Sequence, residues 1–220
     1  MKRIIYLLLV IYMPGVTRAQ HTEKWEFGIS AEWGRDYYNK KYDKEYSTIP
    51  GLIHNFTSNY SWGTGIWAER KFTPHLSALT RLEYAQKDLH PDLFYSPSRT
   101  ADKYFTKERH HRGTAEIGAR WHINPKSLLT FFVDARVGVN ALIVANLFEE
   151  KDGKYAHWDA FGYDRFAPAG SVAVGIKWKR LALMAEYDRD LARVKRKFPN
   201  TGILAQSIVA KSTFTIFKSR

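Results

Sequence analysis

The chain has 220 residues, no cysteine and a formal net charge of +12, with 45% apolar and 15% aromatic residues. Without cysteine it can neither be braced by disulfides nor be acylated as a lipoprotein at a leader cysteine. A charge balance this basic points to anionic partners, nucleic acid among them, and it is the start of the chain that argues against nucleic acid.

Residues 1–19 read as a secretory signal. Lys2 and Arg3 form the charged start, Ile4 to Met13 the apolar stretch, Pro14-Gly15 a break, and Thr17 and Ala19 the small residues of a cleavage site. Removing this leader leaves 201 residues at +9, enough for one domain, here residues 20–220. Export turns the choice of anionic partner from nucleic acid to lipopolysaccharide phosphates, acidic glycans or cell-wall polymers.

The remaining chain alternates apolar and polar residues with a period of two in eight stretches, the signature of strands with two unlike faces. The first, Trp25 to Arg35, sets Trp25, Phe27, Ile29, Ala31 and Trp33 against Glu26, Gly28, Ser30, Glu32 and Gly34. After a polar connection, the second sets Tyr60, Trp62, Thr64, Ile66 and Ala68 against Gly63, Gly65 and Glu69, with Trp67 interrupting the polar side. A turn at Phe72 to His75 leads into the third, with Leu76, Ala78, Leu82 and Tyr84 against Ser77, Arg81, Glu83 and Lys87.

The fourth, Thr114 to Ile123, opposes Ala115, Ile117, Ala119, Trp121 and Ile123 to Thr114, Glu116, Gly118, Arg120 and His122. A turn at Asn124 to Ser127 brings the fifth, where the apolar series from Leu129 to Ile143 alternates with Thr130, Asp134, Arg136, Gly138 and Asn140. The sixth and seventh flank Lys179-Arg180, with Lys177, Glu186 and Asp188 on their polar faces. The eighth, Ser207 to Phe217, opposes Ile208, Ala210, Phe214 and Ile216 to Lys211, Thr213 and Thr215.

Short turns alternate with four long connections: 36–59, 88–112, 146–165 and 189–206. The pattern predicts an all-β fold, an eight-stranded antiparallel up-and-down transmembrane β-barrel. Three observations place the apolar face outside. Gly28, Gly34, Gly63, Gly65, Gly118, Gly138 and Gly175 fall on the polar face, as the crowded interior of a small barrel requires. Aromatics gather near the ends of the apolar faces, at Trp25, Trp33, Tyr60, Trp62, Tyr84, Trp121, Trp178 and Tyr187, in the manner of interfacial girdles. Short turns gather on one side and long loops on the other, the asymmetry membrane barrels show, and strand length agrees: eleven residues at about 3.3 Å each, tilted by about 40°, rise roughly 28 Å, close to the apolar band of an outer membrane.

This topology, with the run Phe72 to Lys87 (FTPHLSALTRLEYAQK), resembles the small outer-membrane β-barrel family, porin-like and related in architecture to the OmpA transmembrane domain. The resemblance spans the mature chain and implies a Gram-negative outer-membrane location with both termini periplasmic and four loops outside.

Glu32, Glu83, Glu116, Asp134 and Glu186 share the polar face with Arg81, Arg120, Arg136, Lys177 and Lys211. Eight strands leave room only for side chains, so these ions must pair. Two readings follow, a salt-bridged plug with little conductance and a narrow path for ions or small solutes, and the plug is preferred. The basic run Arg193, Lys195, Arg196 and Lys197 is a candidate contact for lipopolysaccharide phosphate or another anionic partner, or else a solvated loop.

His110 and His111 face opposite ways on a strand and so make no metal pair, and His122 joins the plug. No metal site and no cofactor is expected. His54, Asp43 and Ser58 in the first loop keep a lipid A deacylase or acyltransferase as the enzyme alternative. The functional expectation is a monomer that binds outer-membrane lipid and lipopolysaccharide, with envelope proteins as possible further partners and no nucleic acid. It would act as a structural or surface-interaction protein through its four outer loops.

Overall fold

The computed structural model describes residues 24–42, 55–57, 59–92, 104–151, 154–159, 165–192, 194–196 and 201–219. Among them there is no helix. The strands are β1 (Lys24–Tyr42), β2 (Asn55–Thr57), β3 (Asn59–Lys71), β4 (Leu76–Asp92), β5 (Tyr104–His122), β6 (Leu129–Lys151), β7 (Lys154–Asp159), β8 (Phe166–Trp178), β9 (Leu181–Asp190), β10 (Val194–Arg196) and β11 (Thr201–Lys218). Eight of them, β1, β3, β4, β5, β6, β8, β9 and β11, pair in that order, each antiparallel to the next. β1 pairs with β11 from Tyr42↔Thr201 down to Glu26↔Lys218, and the sheet closes on itself. Closure gives each of the eight barrel strands a partner on both sides, so the barrel itself has no free edge.

Hairpin chemistry explains the three turns. Thr73 Oγ1 accepts from the backbone N–H of His75 at 3.3 Å and of Leu76 at 2.9 Å, closing the β3–β4 turn. In the β5–β6 turn Asn124 accepts from Phe131 N at 2.7 Å and donates to Leu129 O at 2.9 Å. The β8–β9 turn is tightest, and Lys179 adopts φ 54° there. All three turns, the start of β1 at Lys24 and the end of β11 at Lys218 lie at one end of the barrel, the turn end.

The faces separate as the period-two pattern requires. Outside, Ile66, Leu82, Ile117, Val137 and Val174 are 55 to 59% exposed on five different strands. Inside, Glu26, Glu69 and Asp134 are fully buried. A protein dissolved in water would not surround itself with apolar side chains and keep its ions within. This exterior suits hydrocarbon, and the closed ladder satisfies the backbone polar groups that lipid cannot.

Two aromatic girdles bound the apolar band. At the turn end Trp25 stacks on Phe27 at 5.7 Å, and Phe27 meets Phe217 at 6.1 Å. At the other end Trp33 stacks on Tyr60 at 5.3 Å, and Trp62 meets Tyr84 edge-on at 6.2 Å.

The strands differ from expectation in length. β1 runs to Tyr42, β4 to Asp92, β5 begins at Tyr104, β6 runs to Lys151 and β11 begins at Thr201. Much of what was expected to be connection is therefore ladder, and β2, β7 and β10 add short strands in the same stretches. The sequence of these extensions, as in Asp36 to Tyr42, does not alternate apolar and polar residues, so their ladder pairing left no period-two mark.

Candidate functional site

The lumen is the site where the chain concentrates its chemistry, and the alternation of each strand puts it there. β4 and β5 aim Arg81, Glu83, Glu116 and Arg120 inward, β6 adds Asp134 and Arg136, and β9 and β11 add Glu186 and Lys211. These positions come together across the barrel rather than along it.

Asp134 is the hub. Arg120 holds it with two parallel bonds, Nε to Oδ1 at 2.7 Å and Nη2 to Oδ2 at 2.8 Å, the fork geometry that only a guanidinium offers. Arg136 Nη1 reaches the same Oδ2 at 2.9 Å and Arg81 at 3.5 Å. Arg120 continues to Glu69 at 2.9 Å, and its guanidinium lies 4.0 Å over the Phe132 ring. Arg136 continues to Glu116 at 2.9 Å and pairs with Glu186, which also takes Arg81 at 2.8 Å.

Lys211 stands among three carboxylates, Glu83 at 2.6 Å and Glu32 and Glu186 at 3.0 Å each. Those three carboxylates lie close enough together to share a cation, and the ammonium of Lys211 is that cation. Hydroxyls fill the remaining valences, Ser30 donating to Glu83 at 3.1 Å and Ser171 to Glu116 at 2.7 Å. The tenth predicted member, Lys177, is not part of this cluster but pairs with Glu26 at the turn end.

Further ion pairs stand above and below. Glu69 also meets His122 at 2.9 Å and accepts from Ser77 at 2.8 Å. Toward the loop end Asp36 takes Lys87 at 2.9 Å and Asp190 takes Arg112 at 3.5 Å, with Asn140 donating to Asp190 at 2.7 Å. His110 is buried in the lumen, whereas His111 lies outside, its Nδ1 2.5 Å from the Tyr84 hydroxyl. The opposition of the two histidines follows from their strand.

Apolar side chains complete the filling, and sequence reasoning missed most of them. Leu79 and Phe132 are 1% exposed, facing inward on β4 and β6. Phe132 packs with Ala173, Ala182 and Met184. Trp67, which interrupts the polar side of β3, lies inside and donates from Nε1 to Ile29 O at 3.2 Å. Glycines make room for both rings: a Cβ on Gly28 would come within 2.7 Å of the Trp67 ring, and one on Gly175 within 2.4 Å of the Phe132 ring. The pairing of an inward ring with a facing glycine was the available signal.

Arg193, Lys197, His54, Asp43 and Ser58 lie outside the described residues. Lys195 and Arg196 belong to β10, whose backbone pairs with β11 at Gly202 and Thr201.

No protein-family model matches the chain, and no curated protein matches it in sequence. Several solved structures are similar to it. The attachment invasion locus protein Ail of Yersinia pestis, in complex with the heparin analogue sucrose octasulfate, is 8% identical with a TM-score of 0.44, covering 88% of this chain and 100% of that one. Neisserial surface protein A is 11% identical with a TM-score of 0.44, covering 86% and 97%. The outer membrane protein OprG of Pseudomonas aeruginosa is 9% identical with a TM-score of 0.49, covering 90% and 95%. The eight-stranded closed barrel itself is read from the chain's own strand pairing.

Proposed function

We propose that the chain is a small bacterial outer-membrane protein with a plugged lumen, acting as a structural or surface-interaction protein through its loop end. The observation that carries this is the cross-barrel network on Asp134, Glu186 and Lys211, which spans the lumen with ion pairs in the place where a pore would need water. In this reading residues 1–19 direct export, the turn end and both termini face the periplasm, and the protein is a monomer without cofactor. The strands that extend past the outer girdle hold the loops clear of the headgroups. Lipopolysaccharide is the anionic partner proposed for Arg193, Lys195, Arg196 and Lys197.

Cell fractionation with heated and unheated gels tests the location, the expected result being outer-membrane enrichment and a heat-dependent shift in mobility. Planar bilayers test the plug. The expected current is negligible, and large stable single-channel steps would defeat it. Exchange of the loop containing Arg193 to Lys197 is expected to abolish lipopolysaccharide binding while the heat shift persists. Turnover of lipid A or phospholipid that disappears in His54→Ala, with the barrel still folded, would establish the enzyme alternative instead.

A further inference from the structure

The turn end of the barrel opens into a cavity of about 260 Å³, lined by Lys71, His122, Thr130, Lys177, Lys179 and Lys218 among others. Four of these side chains are lysines. Among the described residues the carboxylate within reach of them is Glu26, which is fully buried and pairs with Lys177, with Lys71 at 3.0 Å and with Lys218 at 3.2 Å. The next carboxylate inward, Glu69, is taken by Arg120 and His122, each at 2.9 Å. Lys179 lies over the Trp178 ring at 5.1 Å.

Three ammonium groups carry nine N–H donors between them, more than the two oxygens of Glu26 can accept. Lys71 and Lys218 remain 28% and 45% exposed, so their remaining donors reach solvent at the cavity. One buried negative charge beneath several positive ones leaves the mouth electropositive. The ligand such a mouth fits is an oxyanion with several acceptor oxygens and more than one unit of charge, and lysines serve phosphate in this way as flexible point charges.

We propose that this mouth is a binding site for a phosphate group, carried by a soluble phosphate ester or by the headgroup of an anionic phospholipid. Both sources can reach it. The cavity opens to water, and at the same end Arg70 lies 5.5 Å from the Trp25 and Phe72 rings, placing a cation at the height of the lipid headgroups. The site lies opposite the loops and stands whether or not the loops bind a partner.

The test uses the full chain folded in detergent micelles. Inorganic phosphate and glycerol 3-phosphate are titrated by calorimetry, and retention of phosphatidylglycerol against phosphatidylcholine is read by native mass spectrometry. Saturable binding is expected, with affinity at least tenfold weaker in Lys71→Gln/Lys218→Gln and unchanged in Arg165→Gln at the opposite end. Heat from the soluble ions, with displacement of phosphatidylglycerol by them, assigns a soluble source. Selective retention of phosphatidylglycerol without such heat assigns the lipid. No binding of any phosphate compound, or native affinity in the double variant, overturns the proposal. Should the double variant fail to fold, Lys179→Gln on the exposed turn is expected to lose at least threefold, and unchanged affinity there overturns it equally.

Discussion

Arg120 shows what a single residue does in a lumen filled by side chains. Its guanidinium is 1% exposed, bonds both oxygens of Asp134 and one of Glu69, and covers the Phe132 ring. Removing it leaves two carboxylates short of a partner where desolvation is expensive, so Arg120→Met is expected to destabilise the barrel by about 3–5 kcal/mol. Urea unfolding in lipid vesicles measures the loss. Arg120→Met/Asp134→Asn should recover part of it, because the stranded charge goes while an acceptor oxygen is kept for Arg136. On the outer face the sign of the rule reverses: Val174, 59% exposed there, is expected to cost about 2–4 kcal/mol when changed to Arg near the middle of β8. A neutral Val174→Arg in the same vesicles would contradict the assignment of faces.

At the scale of the element, the alternation of each strand made the fold legible, since a lipid face and a charged face differ in kind at every second residue. Arg81, Glu116, Arg120, Asp134, Arg136, Glu186 and Lys211 could therefore be placed inside, although which carboxylate each cation meets depends on barrel stagger and not on local pattern. Leu79 and Phe132 were less legible because an apolar residue on a polar face contributes nothing to alternation, yet a lumen floor needs both rings and ions to fill it. The ends of β1, β5, β6 and β11 were illegible for the opposite reason, their sequence having no strict apolar and polar alternation there. Turn chemistry is strictly local, and Lys179 at φ 54° is its outlier. A side chain in the left-handed region costs about 1 kcal/mol that glycine avoids, so Lys179→Gly is expected to be neutral to stabilising by up to about 1 kcal/mol. A clear loss in the vesicle assay would mean that the contact with Trp178 outweighs the backbone term.

For the whole molecule the decisive contact is the one between the first and last barrel strands, which are farthest apart in sequence and must meet for the lumen to exist. Lys211 on β11 reaches Glu32 on β1 at 3.0 Å and Glu83 on β4 at 2.6 Å, so the plug itself bridges the seam. Without closure these charges would lose their partners across the seam, and without the charges the seam would keep its ladder and the Phe27–Phe217 contact. The absence of cysteine makes closure directly measurable, because introduced thiols have no competitors. Ala31 and Ser212 are register partners on the outer face of the seam, within the span expected of a disulfide between neighbouring strands. Ala31→Cys/Ser212→Cys, treated with a membrane-permeant oxidant, is expected to give an intramolecular crosslink that changes mobility on a non-reducing gel and returns on reduction. Ala31→Cys/Ala135→Cys, with the second thiol on β6, serves as the control and should remain reduced. Crosslinking of both pairs alike, or of neither, would mean that β1 and β11 do not hold this register in the folded protein.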